Sequence, residues 1–142
     1  MATMTLDLAE DIIRRVKEKA KEMKTVMHIA VVDEMGKLVA FARMGEATGG
    51  FNEKVAIAKA KTAVAYKRDT KDTMERYASY PGNYFIVGMS GLYPDEFWAG
   101  PGGVAVMIDG KLAGGLGVSG STPDNDHKCA TEALAGLQNS NG

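Results

Sequence analysis

The sequence is poor in the residues that build cross-links and metal centres: it holds one cysteine, Cys129, and two histidines, His28 and His127. A single thiol cannot close an internal disulfide, and a reducing compartment is the natural home of such a chain. His127 and Cys129 are two apart on a predicted helix, hence on nearly opposite sides of it. Neither has a second His or Cys at the three- or four-residue spacing of a helical zinc pair, so a structural zinc site is not expected. Charge of one sign is lacking too. The 17 Lys and Arg against 18 Asp and Glu leave a net charge of −1, so no concentrated basic face is available for nucleic acid or an anionic membrane. No stretch approaches the ~18 apolar residues of a membrane span. The opening MATMTLDLAEDII has no basic segment followed by a long apolar one, as a secretion signal would. These absences predict a soluble, cytoplasmic protein.

What is present suits one domain over residues 1–142, with enough of the chain hydrophobic (45%) to bury a substantial core. The stretch that organises it runs from Gly102 to Asp126. Asp109-Gly110 stands between the apolar runs Val104–Ile108 and Leu112–Val118, and an Asp-Gly pair so placed is a strong hairpin signal because both turn positions want φ > 0. Ser121 or Thr122 can then cap a helix that has Pro123 at its first position and Asp124 and Asp126 near its positive end.

Upstream, Thr5 caps a first predicted helix whose apolar residues Leu6, Ala9, Ile12, Ile13, Val16, Ala20 and Met23 recur at three- and four-residue spacing. A hairpin follows, with strands Val26–Val32 and Lys37–Arg43 around Asp33-Glu34-Met35-Gly36. Both faces of the first strand are apolar, Val26, Ala30 and Val32 on one and Met27, Ile29 and Val31 on the other, which predicts cover on both sides and a homo-oligomer. An alanine-rich helix from Phe51 to Lys67 is expected to pack closely on the sheet. Asp69-Thr70 starts a short helix to Ala78, and Tyr84–Met89 reads as a third strand. Residues 77–98 concentrate seven of the ten aromatics, among them Trp98, which fill either a loop-side core, a subunit interface or the wall of a ligand site.

Several residues carry possible chemistry. Gly114, Gly115, Gly117 and Gly120 resemble a phosphate loop but lack its lysine and its strand-helix-strand context, so they either let the strand twist and be approached or floor a pocket. Ser119 has neither a G-x-S-x-G frame nor an assignable histidine, which argues against a hydrolytic triad. His28, mid-strand, is a core imidazole or a donor to iron or ligand. Arg43 at the end of its strand and Lys61 on the long helix are exposed cations or carboxylate clamps.

The phrases Ile29-Ala30-Val31-Val32-Asp33 with Gly36, Ala42-Arg43-Met44, Ala58-Lys59-Ala60-Lys61-Thr62-Ala63, Pro101-Gly102-Gly103-Val104, and Gly114-Gly115-Leu116-Gly117-Val118-Ser119-Gly120 followed by Asp126 occur in series along nearly the whole chain. In these the sequence resembles the GlcG/HbpS-like heme-binding family, also found as the C-terminal domain of PduO-type cobalamin adenosyltransferases. The resemblance implies a profilin-like α/β (α+β) domain, an antiparallel sheet with helices packed on it, that oligomerises and binds heme or a related tetrapyrrole, as a sensor or pathway accessory. On that reading His28 is the axial candidate and the aromatic segment a porphyrin wall. The competing expectation is a small enzyme acting on an organic acid or aromatic metabolite, with Arg43 or Lys61 holding a carboxylate and His28 as acid or base.

Overall fold

A computed structural model describes residues 3–45 and 47–141, the side chains of 138–141 excepted. Helix α1 (Leu6–Glu22) begins where Thr5 Oγ1 accepts a hydrogen bond from the Leu8 amide at 3.1 Å, and it buries Ala9, Ile12, Ile13, Val16 and Ala20 along one stripe. Strands β1 (His28–Asp33) and β2 (Leu38–Arg43) form the first hairpin, closed by Asp33, whose Oδ1 accepts from the Met35 and Lys37 amides at 2.9 Å. Helices α2 (Asn52–Tyr66) and α3 (Thr70–Ala78) follow, with Lys67 left-handed between them. A single 3-10 turn, Pro81–Asn83, leads into α4 (Tyr84–Leu92). Strands β3 (Gly103–Ile108) and β4 (Lys111–Ser119) make the second hairpin, and α5 (Pro123–Asn141) ends the fold. The Thr122 hydroxyl accepts from the Asn125 amide at 3.2 Å and caps α5 as expected.

The four strands form one antiparallel sheet in the order β2-β1-β4-β3, so the two hairpins lie side by side and pair through their inner strands. The alternation of β1 sorts its side chains to two cores. Met27, Ile29 and Val31 join Val104, Val106, Leu116 and Val118 beneath α1 and α5, while Ala30 and Val32 meet Ala56, Ala60 and Val64 of α2 on the other face. The fold is therefore α+β with helices on both faces of the sheet. A bulge where Val31 pairs with Ala40 and Val32 with Leu38 turns Val39 into the α1/α5 core, away from the face of Phe41 and Arg43 that strict alternation would give it.

The segment Tyr84–Met89, read from its β-branched and aromatic residues as a strand, is the start of α4 instead. Strand propensity is expressed only where a neighbouring strand supplies partners. This segment stays beside α3 and satisfies its backbone locally, with Tyr93 N donating to Met89 O at 2.9 Å and Ser90 Oγ to Ile86 O at 2.8 Å.

In the β3–β4 turn both Asp109 (φ 53°) and Gly110 (φ 75°) are left-handed, the type I′ geometry. Gly110→Val should lower stability by about 1–2 kcal/mol, since a β-branched side chain resists this backbone; a denaturant midpoint equal to wild type would refute that. Cys129, buried in the α1–α5 seam with Sγ 3.8 Å from Val16 O, has its thiol pushed up to about 12 by burial, with the Asp126 charge adding to it. An unfolded thiol ionises near about 8.5, so the unfolded chain gives up this proton first as pH rises. The thiol's contribution to stability should be intact below pH ~8.5 and lost progressively up to about 12. Cys129→Ala should flatten that part of the stability profile, and native Cys129 should resist thiol reagents at pH 8 until denaturant is added.

Candidate functional site

Antiparallel register brings three of the residues singled out in the sequence into one row. His28 pairs with Arg43 of β2 on one side and Ser119 of β4 on the other, and directly opposed residues project to the same face. That face is the one covered by α2. Gly117 lies one step further in on the same face, opposite Ala30, which in turn faces Phe41.

The amino end of α2 closes over this row. Ser119 Oγ donates to Asn52 Oδ1 at 2.8 Å, and Asn52 Nδ2 donates to Gly49 O at 2.8 Å, which ties the 47–49 segment to the sheet. Glu53 Oε2 stands 3.7 Å from His28 Nε2. The imidazole is 2% exposed, its Nδ1 has no hydrogen-bond partner among the described residues, and the Phe41 ring lies 6.2 Å away, centroid to centroid. Beside it is a pocket of about 170 Å³ lined by Val26, His28, Ala47, Thr48, Gly49, Asn52 and Gly120. Pockets for drug-sized ligands occupy ~300–1,000 Å³, so this one admits only a small molecule. Arg43 is exposed at the end of the row.

Gly117 does not floor that pocket. A side chain there would collide with the Ala56 carbonyl of α2, and one at Gly115 with the Ala60 carbonyl. The bare strand serves close approach of the helix, one of the two uses read from the sequence.

Lys61 belongs to a second place, a cleft of about 670 Å³ between the β1–β2 turn, the C-terminal half of α2 and α4. Its walls are Glu34, Met35 and Gly36 from the turn, Lys61, Thr62, Val64, Ala65 and Tyr66 from α2, and Met89, Tyr93, Glu96 and Phe97 from α4 and the loop after it. Lys61 Nζ is 3.8 Å from Glu96 Oε1, and Lys54 Nζ is 3.7 Å from Asp95 Oδ1. Thr62 is the hinge of this wall. Its hydroxyl donates to Ala58 O at 2.8 Å and accepts from the Trp98 amide at 2.9 Å, fixing the aromatic loop to α2. Tyr77 and Phe85 pack behind the wall residues Tyr66 and Phe97, Tyr66 meeting Tyr77, Phe85 and Phe97 edge-to-face and Tyr77 stacking on Phe85 at 3.9 Å. Burial, with Tyr77 and Tyr93 beside it, raises the Tyr66 phenol above its ordinary value, so it stays protonated at neutral pH. Trp98 is about half exposed and lies outside the cleft lining.

One charged pair went unread. Lys59 Nζ donates to Asp126 Oδ2 at 3.0 Å and to Val118 O at 2.9 Å, with both side chains almost wholly buried. Asp126 Oδ1 also accepts from the Ser121 amide at 2.9 Å. Burial lowers the Lys59 pKa, and the Asp126 carboxylate opposes that shift. The signal was a lysine on the alanine face of α2, where a charged residue requires a buried partner.

With this geometry in view, comparison with known proteins decides the family. A model described as haem degrading protein HbpS-like matches residues 4–135. The chain belongs to the HbpS-like family. A 15.0 kDa protein from the dhaT-dhaS intergenic region of Citrobacter freundii is 30% identical over 94% of this chain and 92% of its own length. The corrinoid adenosyltransferase PduO of Salmonella typhimurium is 31% identical over 87% of this chain, which spans only 36% of that protein. The crystal structure of a PduOC:heme complex superposes with a TM-score of 0.81 at 30% identity, covering 95% of this chain and 94% of the other. Several of the phrases singled out in the sequence form contacts described above. Within the Ala58–Ala63 phrase Ala60 meets the sheet while Lys61 and Thr62 face the cleft, and Gly114–Gly120 lies in the strand that α2 approaches.

Removing one partner of the buried pair should be costly. Asp126→Ala leaves an uncompensated cation and should lose about 3–5 kcal/mol, whereas Lys59→Met with Asp126→Leu should recover most of that loss. Urea titration of the three proteins measures it; equal losses in the single and double variants would contradict this account.

Proposed function

We propose that the protein binds heme or a related tetrapyrrole in the 670 Å³ cleft. The observation that carries this reading is the cleft itself. Its volume lies within the ~300–1,000 Å³ of cofactor-sized sites, and it sits in a chain similar over nearly its full length to PduOC, which was crystallised with heme. The donor set fits the group. Tyr66, Tyr93 and Phe97 offer flat apolar walls, Met35 and Met89 offer thioethers of a type that holds heme iron, and Lys61 offers a cation for a propionate. A bound heme would supply a redox-active iron, and the protein's part is to orient the macrocycle and exclude water from one face. Tyr66, held as a neutral phenol, acts there as a ring and a hydrogen-bond donor.

His28, the axial candidate read from the sequence, is less well placed for a porphyrin. Its ring is 2% exposed behind Asn52 and Glu53, and the space beside it is about 170 Å³. The row of Arg43, His28 and Ser119 with this small pocket supports the second reading, a site for a small organic acid with Arg43 as the carboxylate partner and His28 as acid or base.

Hemin titration followed at the Soret band separates these. Wild type should saturate with a shifted band; Tyr93→Ala and Lys61→Glu should each weaken binding by about tenfold, equivalent to ~1.4 kcal/mol, and His28→Ala should leave the titration unchanged. Loss of binding in His28→Ala alone would move the iron to the His28 row. No saturable shift in wild type would sink the heme reading and leave the organic-acid site in its place.

A further inference from the structure

Four of the chain's five tyrosines lie in one run of touching rings. Tyr66, on the wall of the large cleft, meets Tyr77 edge-to-face at 6.2 Å between centroids. Tyr77 meets Tyr80 at 5.4 Å, and Tyr80 stacks on Tyr84 at 5.3 Å. All three separations are contact distances for aromatic pairs. The run starts on a ring that lines the cleft and ends on one that is 60% exposed. Phe85 leans on Tyr66, Tyr77 and Tyr80 from the side, at 6.3, 3.9 and 6.1 Å, and backs the run without being a link in it.

Packing alone does not call for phenols here. A phenylalanine fills the same space, as Phe85 does, with no hydroxyl to satisfy. What a phenol adds is an electron it can give up. Losing one electron and one proton turns it into a phenoxyl radical, and a phenol in contact can refill that vacancy by losing its own. Two features give the run a direction. Burial disfavours the phenolate of Tyr66, so a proton is held tightly at the cleft end, and no Asp, Glu, Lys, Arg or His stands between Tyr77 and Pro94 to take one along the way. Tyr84 meets water. The vacancy therefore comes to rest at the exposed end, where the proton can leave.

The cleft also has groups that oxidation would damage. Met35 and Met89 stand in its lining, and oxidation to the sulfoxide makes a thioether polar and disrupts an apolar wall. An oxidising equivalent formed in the cleft attacks these side chains unless an electron reaches it first.

We propose that Tyr66, Tyr77, Tyr80 and Tyr84 form an electron relay that supplies the cleft from the protein surface. The relay rests on the heme reading of the cleft, because iron is the group there with which a peroxide would react. The oxidant is hydrogen peroxide, which takes up two electrons and two protons and leaves as two waters. Each electron passes inward from Tyr84 through Tyr80, Tyr77 and Tyr66, and the phenol proton of Tyr84 goes to water. The phenoxyl left at Tyr84 regains one electron and one proton from a small reductant of the ascorbate or hydroquinone class. Per peroxide, two reductant molecules each lose one hydrogen and two waters form. Such a reductant never has to enter the cleft.

Spin trapping on the hemin-loaded full chain tests this. With hydrogen peroxide and a nitroso spin trap, peptide mass spectrometry of wild type should find the adduct chiefly on Tyr84. Tyr77→Phe and Tyr80→Phe keep the rings and remove the oxidisable phenol. Each should keep the wild-type hemin titration while Tyr84 labelling falls at least tenfold and the adduct moves to a tyrosine on the cleft side of the break. Either variant decides the matter if the other fails to load hemin. A loaded variant that labels Tyr84 as wild type does would show attack from solution and overturn the relay. Wild type that takes up hemin yet carries no adduct on Tyr84 would overturn it with the heme reading intact, whereas no saturable Soret shift in wild type removes both.

Discussion

The close approach of α2 to the bare backbone of β4 is the constraint on which the remaining structure depends. Carbonyls of Ala56 and Ala60 occupy the space that side chains at Gly117 and Gly115 would fill, and the Lys59 carbonyl does the same at Gly103 on β3. Because these contacts are backbone to backbone, the helix cannot slide without a collision, and its register over the sheet is set to within a fraction of a residue. Everything α2 carries inherits that placement. Its first turn delivers Asn52 and Glu53 to His28 and Ser119, and its C-terminal half delivers Lys61, Thr62 and Tyr66 to the cleft. Nine residues at 1.5 Å each separate Asn52 from Lys61 by ~13 Å, so the small pocket and the large cleft are two places held apart by one rigid rod.

The buried Lys59–Asp126 pair acts on the same contact from a third direction. Lys59 leaves α2, bonds the last carbonyl but one of β4 and meets a carboxylate in the first turn of α5, so three elements converge on one ammonium. A buried pair of this kind is weak evidence for net stability, since desolvation consumes much of its Coulomb energy. Its directional bonds nonetheless distinguish the native placement of α5 from a neighbouring one. An apolar contact of equal area would tolerate a shift of α5 by part of a turn; an ammonium that must reach Val118 O and Asp126 Oδ2 together would not.

Much of this architecture was legible in the chain because its signals are local. Asp109-Gly110 between apolar runs, Thr5 before an amphipathic stripe and Pro123 behind a threonine each report on a few adjacent residues, and the structure has a type I′ turn and two capped helices there. The two-faced pattern of β1 likewise corresponds to two cores. What was misread or went unread depends on partners distant in sequence. Tyr84–Met89 has strand-like residues but no strand beside it, Val39 changes face because of a bulge that only the β1 pairing defines, and Lys59 looks like any helical lysine until Asp126 is brought to it. For the site, proximity of Arg43, His28 and Ser119 follows from strand register, which the sequence does not state, although each residue could be singled out by type.

The two walls of the large cleft differ in how they are held, and this difference bears on what the cleft can do. The α2 wall rests on the sheet through backbone contact and cannot move without disturbing β4. The opposite wall, Met89 and Tyr93, is joined to the body through ring contacts among Tyr66, Tyr77 and Phe85 and through the Thr62 hydroxyl that anchors the Trp98 amide. Ring contacts are individually worth about 0.5–1.5 kcal/mol and tolerate small displacements, so the α4 side is the one that can adjust to a ligand's thickness while the α2 side sets its position. A flat ligand suits such an arrangement, because one rigid face fixes its plane and a second, deformable face closes on it.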